Sequence, residues 1–214
     1  SSDRSQDIVR ARASADPRIA LLLNQQRIQS AGVNLAVRAF GASADLLVRV
    51  DAHADYPSDY LSRLIEARAE SGADSVTVSM RAVARGRHCF QRANAAAQNS
   101  ILGTGGSLHR SGGERRWVDH GHHALFTLPA FRTVGGYDES FSHNEDVELD
   151  LRLLRQGARI LLAADILIDY YPRTTALALA RQYFAFGGGR ARTRLKHHAP
   201  LKARQIIPIA IAPM

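Results

Sequence analysis

The sequence predicts an α/β domain whose doubly wound, mainly parallel sheet is flanked by helices. Short apolar runs alternate with segments of helical spacing along the chain, which is typical of this class. Its 214 residues suffice for one sizeable domain and are marginal for two. No internal repeat or low-complexity linker divides the chain. We therefore expect one domain over residues 1–205, followed by an apolar tail over 206–214.

Strand and helix patterns alternate clearly in the first half of the chain. Apolar runs bounded by turn residues predict strands at 18–24, 45–51 and 74–80. Apolar residues at helical spacing predict helices over 5–14, 28–42 and 58–71. Gly72 follows the last of these helices directly and predicts its end.

Beyond residue 85 the pattern weakens before it becomes clear again. Helical spacing predicts helices over 89–100, 145–156 and 176–186. We expect the last of these to end at three consecutive glycines, 187–189. An apolar run at 117–126 predicts a strand, and the longer run at 159–171 is sufficient for one or two strands.

The chain is strongly basic, which favours an anionic partner. Its formal net charge is +8, and nearly all of the positive charge is arginine because Lys196 and Lys202 are the only lysines. Nucleic acid, an acidic membrane surface and a phosphorylated substrate all suit this balance. Aromatic residues are only 7 % and do not interleave with the basic run at 187–198. We expect no nucleic acid, and keep a nucleic-acid- or anionic-surface-binding module as the alternative.

The segment GGYDESFSHNEDVELDLRLLRQG (135–157) is unusually acidic for this chain. Glu145, Asp146 and Glu148 fall in the first turn of its predicted helix. They could simply complement the helix dipole. The glycine pair before them permits a tight turn, and a carboxylate at a helix start beside a cleft can take a proton from a hydroxyl nucleophile. Helical spacing puts three apolar residues of the helix on one face, namely Val147, Leu151 and Leu154.

A second acidic group follows the strand predicted at 45–51. Asp51, His53 and Asp55 occupy alternate positions, and an extended backbone would point all three side chains to one side. Ligands of open α/β sheets bind beyond the carboxyl ends of the strands, where Asp51 stands. Hard oxygen ligands suit Mg²⁺, and an imidazole shifts the preference towards Mn²⁺. The alternative is a polar loop in which Asp51 caps the following segment.

Five stretches in the same order along the chain resemble the family 2 inverting glycosyltransferases, especially the glucosyltransferases of bacterial succinoglycan-type exopolysaccharide biosynthesis. These stretches are VRVDAHADYP, GTGGSLHR, WVDHGHHALF, GGYDESFSHNEDVELDLRL and YYPRTTALALARQYFAFGGGRART. The resemblance implies a Rossmann-like fold of GT-A type that uses a UDP-hexose, with UDP-glucose expected, and a divalent cation, Mn²⁺ or Mg²⁺. It also implies that the first strand lies upstream of Ser1, so that an inactive fragment is a further alternative.

The resemblance assigns residues to a donor site. The opening SSDRS is similar to the tail of the family's nucleotide-binding loop, which implies a donor contact for Asp3. The family's D-x-D motif falls on Asp51 and His53. Asp51 would contact the nucleotide sugar or its metal ion, and His53 would take the second metal position. Because His53 departs from the family's second carboxylate, Asp55 is an alternative ligand.

The resemblance also assigns the catalytic and acceptor residues. The family's E-D motif falls on Glu145 and Asp146, with Asp146 as the expected general base. The loop before it would lie beside the donor and acceptor sugars and comprises Gly135, Gly136, Tyr137 and Asp138. Among the clustered histidines, adjacent residues on a strand point to opposite faces, which argues against a three-histidine zinc site. We expect His122 and His123 to line the acceptor pocket, with a purely structural role as the alternative.

The C-terminal part of the chain indicates how a glycosyltransferase of this kind would contact its acceptor. The Q-x-x-R-W motif of processive relatives is absent after Gln182, which favours addition of a single sugar. The basic run at 187–198 is either a solvated face or a contact for anionic lipid or the pyrophosphate of a lipid-linked saccharide. The apolar run that closes the chain is either a buried strand or the start of a membrane segment. We expect location at the cytoplasmic face of the inner membrane.

Overall fold

The computed structural model describes residues 4–100, 103 and 113–198, except for the side chain of His123. Within these residues a mixed sheet is flanked by helices, as the α/β prediction requires. The helices are α1 (Ser5–Ala15), α2 (Gln29–Phe40), α3 (Tyr60–Ser71), α4 (Cys89–Asn99), α5 (Leu128–Thr133), α6 (Glu145–Arg155) and α7 (Ala176–His197), with a 3-10 turn at Gly41–Ser43. The strands are β1 (Leu46–Val48), β2 (Ala54–Asp55), β3 (Ser75–Ala82), β4 (Arg116–Val118), β5 (His122–Thr127) and β6 (Ile160–Tyr170).

The described strands pair in the order β1-β5-β3-β6-β2, and β4 also pairs with β6. Only β3 and β6 are parallel within this described set, and the other pairs are antiparallel. The sheet is therefore mixed, and the prediction of a mainly parallel sheet was wrong. Alternation of helices and strands usually indicates parallel strands that are joined by crossover helices. Here β5 instead pairs antiparallel with both β1 and β3, and it follows a segment whose sequence pattern is weak.

Two predictions of secondary structure were wrong, and a third was wrong in part because the strand predicted at 117–126 is divided into β4 and β5. Residues 18–24 run without helix or strand structure, because an apolar run becomes a strand only where another strand pairs with its N–H and C=O groups. The helix predicted to end before the glycines 187–189 continues through them to His197. Glycine ends a helix where the backbone needs a positive φ, and none of these three glycines has one.

Two apolar clusters form the core on either side of the sheet. One packs α3 against the sheet and includes Leu64, Val76, Leu125 and Ile168. The other gathers apolar side chains of β5, α5 and α6 with the loop between the two helices, namely Phe126, Phe131, Tyr137, Leu149 and Leu153. The second cluster fixes the start of α6 next to the end of β1, where the candidate site lies.

The C-terminal predictions fall mostly outside the described residues. The expected boundary between residues 205 and 206 and the apolar tail lie there, as does Asp3 at the N-terminus. Of the helices that the structure does describe, none combines the length and apolar character needed to span a membrane.

Candidate active site

A single buried guanidinium joins the end of β1 to the start of α6. Arg49 follows β1 directly, and its side chain is 7 % exposed. Its Nη1 donates to Asp146 Oδ1 at 2.7 Å and to the Tyr137 hydroxyl at 3.0 Å. Its Nε and Nη2 donate to the two carboxylate oxygens of Asp51 at 3.3 and 3.4 Å. Arg49 thus connects two carboxylates that stand in separate sequence motifs.

Other side chains hold the same two carboxylates in place. The Tyr137 hydroxyl donates to Asp146 Oδ1 at 2.8 Å. Gln29 Nε2 donates to Asp51 Oδ1 at 2.7 Å, and the Asp51 N–H donates to the Tyr56 hydroxyl at 2.6 Å. Each carboxylate therefore has a fixed orientation before any ligand binds, which is the condition for electrostatic preorganisation.

The protonation states of this cluster follow from burial and neighbouring charge. Burial acts to lower the pKa of Arg49, but the charges of Asp146 and Asp51 outweigh it and the pKa lies well above its ordinary value. Burial acts to raise the pKa of Asp51, but the Arg49 guanidinium brings it below its ordinary value. Burial and the Asp146 charge raise the pKa of Tyr137 well above its ordinary value, so that its hydroxyl remains a donor.

Glu145 differs from the carboxylates that Arg49 contacts. It is buried at the first position of α6, with 8 % of the residue exposed. Burial, followed by the charge of Asp146, raises the pKa of Glu145 to about 7. When two neighbouring carboxyl groups lie in different environments, their pKa values differ, and a site can then hold one of them protonated and the other ionised at neutral pH.

The glycine pair before α6 makes the tight turn expected from the sequence. Gly135 and Gly136 have φ values of +76° and +72°, which favour glycine. A Cβ on Gly136 would lie 2.6 Å from Asn34 Oδ1. That oxygen accepts the Tyr137 N–H at 2.9 Å. The turn and its contact with α2 together orient the Tyr137 side chain towards Arg49.

The residues proposed for metal binding do not lie on one extended segment. The backbone turns at Ala52 and His53, so the condition for three aligned side chains is not met. Asp55 is exposed and contacts the Tyr171 hydroxyl and Arg85, the latter at 3.2 Å. Among the residues that the structure describes, no group of three or more His, Cys, Asp or Glu side chains is arranged to hold a metal ion. Asp51 alone among the three belongs to the Arg49 cluster.

This donor set suits a cation bound largely by its substrate. Mg²⁺ and Mn²⁺ in nucleotide sites are commonly held by one or two protein side chains, with phosphate oxygens and water completing the shell. Asp51 supplies carboxylate oxygens, and His53 stands two residues later on the same turn. The residues present therefore fit a divalent cation that arrives with a diphosphate.

The histidines of β5 and the preceding loop lie in different environments. His122 is the first residue of β5, and its Nε2 lies 3.9 Å from Asp51 Oδ2. The side chain of His123 lies outside the described part. His120 Nδ1 lies 2.6 Å from Oδ2 of Asp150, whose side chain is 1 % exposed. Of the histidines described on β5 and in the loop before it, His122 is thus the one that approaches the Arg49 cluster.

Asp138 follows Tyr137 but has different partners. Its Oδ2 accepts from Lys196 Nζ at 2.7 Å, and its Oδ1 accepts from the Ser140 hydroxyl at 2.6 Å. Burial acts to raise the pKa of Asp138, but these hydrogen bonds bring it far below its ordinary value. Asp138 therefore joins the loop over residues 135–144, which we call the acidic loop, to α7.

Comparison with protein families decides the affiliation of the chain. The model of the family described as Glycosyl transferase family 2 matches residues 1–135, which is more than half of the sequence. The chain belongs to glycosyl transferase family 2.

Individual relatives of this family 2 chain agree with the assignment. It is 52 % identical over 214 residues to the succinoglycan biosynthesis protein ExoA of Rhizobium meliloti (strain 1021), and the match covers 100 % of this chain. The chain spans 64 % of the length of that relative.

Solved structures confirm the GT-A type of α/β fold. S. aureus TarS 1–349 superposes with a TM-score of 0.52 at 13 % identity, covering 80 % of this chain and 48 % of TarS 1–349. A second TarS structure gives a TM-score of 0.52 at 14 % identity and covers 80 % of this chain and 29 % of its own. At these identities the likeness concerns the fold alone.

The residues that sequence reasoning missed are those that connect the motifs of this family 2 domain. Arg49 stands two positions before Asp51, but nothing in the local pattern indicates a buried guanidinium. Gln29 and Asn34 lie on α2, where they look like ordinary polar positions of an amphipathic helix. The signal that the sequence does offer is an arginine at the end of an apolar run, two positions before an acidic motif.

Proposed function

We propose that the chain transfers a hexose, namely glucose, from a UDP-sugar to a hydroxyl group of a lipid-linked saccharide in exopolysaccharide biosynthesis. Membership of glycosyl transferase family 2 and the relative named for succinoglycan biosynthesis support this reaction class. The observation that carries the proposal is the Arg49 bridge between Asp51 and Asp146. The bridge connects Asp51, which is proposed to bind the sugar donor, to Asp146, which is proposed to take the proton of the acceptor.

In the proposed reaction Asp146 is the general base. As the acceptor oxygen bonds to the anomeric carbon, its proton passes to the Asp146 carboxylate. The bond between the anomeric carbon and the diphosphate oxygen breaks, and UDP leaves with the electron pair. Attack from the face opposite the diphosphate inverts the anomeric configuration in one displacement. Tyr137 and Arg49 support this role because both donate to Asp146 and fix its orientation.

The donor is proposed to lie beyond the end of β1. Asp51, with His53 in the second position, would hold a divalent cation together with the donor diphosphate, and Asp55 is the alternative second ligand. The bound cation would supply stabilisation of negative charge on the leaving diphosphate. Gly135, Gly136, Tyr137 and Asp138 are proposed to border the sugars, since they begin the loop that leads to α6 at Glu145. His122 is proposed to line the same pocket, and His123 and Asp3 stay as sequence-based assignments within it.

Binding of UDP-glucose tests the donor assignment. Calorimetry in the presence of Mn²⁺ is expected to show binding by the parent chain and at least about tenfold weaker binding by Asp51→Asn, since a ligand of the cation is lost. Asp165→Asn is the matched control because its carboxylate contacts Arg63 and Arg115 instead. Binding by Asp51→Asn as tight as that of the parent would contradict the assignment of Asp51.

An anionic membrane surface is the proposed partner of α7. This helix carries no acidic residue, and it exposes Phe184 and Leu195 by 85 % and 76 % together with Arg190 and Arg194. Exposed apolar side chains on the same helix as exposed arginines suit the headgroup region of a bilayer with anionic lipid, such as the cytoplasmic face of the inner membrane. Phe184→Ser combined with Arg194→Ser should weaken cosedimentation with phosphatidylglycerol vesicles. Equal cosedimentation of parent and variant would refute this partner.

A further inference from the structure

The C-terminal half of α7 is attached to α6 through a fully buried carboxylate. Glu148, on α6, has 0 % exposure. Its Oε1 accepts from Lys196 Nζ at 2.6 Å and lies 2.8 Å from His197 Nε2. Its Oε2 accepts from Arg152 Nη2 at 2.6 Å. Glu148 is thus surrounded by basic side chains from its own helix and from α7, and we call Glu148, Arg152, Lys196 and His197 the ionic hub.

Lys196 extends the ionic hub to the acidic loop. In addition to Glu148, its Nζ donates to Asp138 Oδ2 at 2.7 Å. Asp138 stands next to Tyr137, whose hydroxyl donates to Asp146. A single ammonium group therefore connects α7 to both ends of the segment that contains the proposed base.

Two further contacts bind α7 to the same loop between these ends. Arg192 Nη1 donates to the Ser140 carbonyl at 2.5 Å. Asn144, the residue before α6, donates to the hydroxyl of the buried Thr193 at 2.9 Å. The basic run therefore makes several contacts within the protein, through Arg192, Lys196 and His197, although most of its residues are exposed.

Gly189 permits the close approach of α7 to the loop. A Cβ at this position would lie 2.6 Å from the His143 carbonyl oxygen and 2.7 Å from Asn144 Cβ. A Cβ on Gly188, one residue earlier, would meet nothing within 4 Å. The glycines that were expected to end the helix thus include one that lets α7 pack against His143 and Asn144, just before α6.

The chemistry of the hub indicates a rigid contact. Burial acts to raise the pKa of Glu148, but the basic groups around it, Arg152 first, bring the pKa below its ordinary value. A buried ionised carboxylate that loses a partner leaves an uncompensated charge, which is strongly unfavourable. Removal of Lys196 while the two helices stay packed would therefore leave the buried Glu148 carboxylate short of a partner, so the contact between α6 and α7 depends on these ion pairs.

We propose that Lys196 and Glu148 are positioning residues, which hold the acidic loop and the first turn of α6 in the geometry that presents Asp146. This inference rests on the proposed function only for the chemistry that Asp146 performs. The mechanical part of the inference, that α7 immobilises residues 135–146, is independent of any substrate.

Hydrogen exchange of the full chain tests the mechanical part. In Lys196→Met, amides of Gly136, Tyr137 and Phe141 are expected to exchange at least about tenfold faster, while amides of β3 and β6 keep their parent rates. Gly189→Ala should give the same localised pattern through a steric route. Arg181→Met and Gly188→Ala are the matched controls on α7 and should leave the loop unchanged. Unchanged loop exchange in both test variants, or acceleration spread equally over β3 and β6, would overturn the proposal.

Turnover tests the chemical part and separates it from the proposed function. With UDP-glucose and Mn²⁺, Lys196→Met is expected to release UDP about tenfold more slowly than the parent, with KM for UDP-glucose changed less than twofold. Lys196→Arg, which keeps the charge, should recover most of the rate. An increase in KM at an unchanged kcat would contradict positioning of the base. If the parent chain itself released no UDP, the proposed function would be wrong. The hydrogen-exchange experiment would still test whether α7 immobilises the loop.

Discussion

Arg49 is the residue on which the candidate site depends. The side chains of Asp51 and Asp146, which it bridges, are 8 % and 19 % exposed. Replacement by methionine leaves two largely buried carboxylates without their cation, so Arg49→Met should lower the free energy of unfolding by about 3–5 kcal/mol. Arg49→Lys keeps the charge but loses the planar set of donors, and it should cost less. Urea denaturation measures both changes.

An exposed ion pair provides the control for Arg49. Arg81 contacts Asp169 at 2.8 Å, but its side chain is 56 % exposed. Pairs of this kind contribute about 0–1 kcal/mol, so Arg81→Met should change stability little. If Arg49→Met cost no more than Arg81→Met, Arg49 would not be the centre of a preorganised cluster.

Glu145 makes the stability of the folded chain depend on pH. Its pKa is about 7 in the folded state and close to 4.5 in the unfolded state, so the folded state binds more protons between these values. The contribution of Glu145 to stability should therefore fall as pH rises from about 4.5 through about 7. Glu145→Gln removes this loss and should be more stabilising at pH 8 than at pH 5, by roughly 1–3 kcal/mol. Urea denaturation at the two pH values checks the difference, and an equal effect at both would contradict the raised pKa.

At the scale of elements, two neighbouring glycines of α7 should respond oppositely to the same substitution. Gly188→Ala adds a methyl group in open space within a helix, so it should stabilise the chain by about 0.5–1 kcal/mol. Gly189→Ala forces that group against the His143 carbonyl and should destabilise it by about 1–3 kcal/mol. Thermal or urea unfolding compares the two variants. Equal effects would show that α7 does not pack closely on the loop before α6.

The elements that the sequence predicts well are those whose signals are local. Helix α3 ends at Gly72, which has a φ of +64°, and β3 follows from its apolar run. The face of α6 predicted to carry Val147, Leu151 and Leu154 is only half-buried. That helix instead buries Glu148 fully and packs Leu149 and Leu153 in the core. A hydrophobic pattern cannot anticipate a buried carboxylate, because its partner Lys196 lies 48 residues further along the chain.

At the scale of the whole molecule, the two acidic motifs could be recognised in the sequence, but the contacts that join them could not be predicted from it. The D-x-H and E-D motifs stand 94 residues apart in the chain, from Asp51 to Glu145. Topology brings them together because β1 ends where α6 begins, on one side of a mixed sheet. Neither the direction of β5 nor the conformation of the turn at His53 follows from local pattern. For this reason the fold class could be predicted, whereas the arrangement around Arg49 could not.

The most direct measurement of the central claim is UDP release from UDP-glucose by the parent chain and by Asp146→Asn, with water in place of the acceptor hydroxyl and Mn²⁺ present. Loss of a general base should slow release by about 10²–10⁴-fold, while calorimetric binding of UDP-glucose changes less than a few-fold. Asp165→Asn is the control, because that surface carboxylate contacts Arg63 and Arg115 on the protein surface. Release by Asp146→Asn at the parent rate would contradict the assignment of Asp146 as the base and, with it, the account of this site.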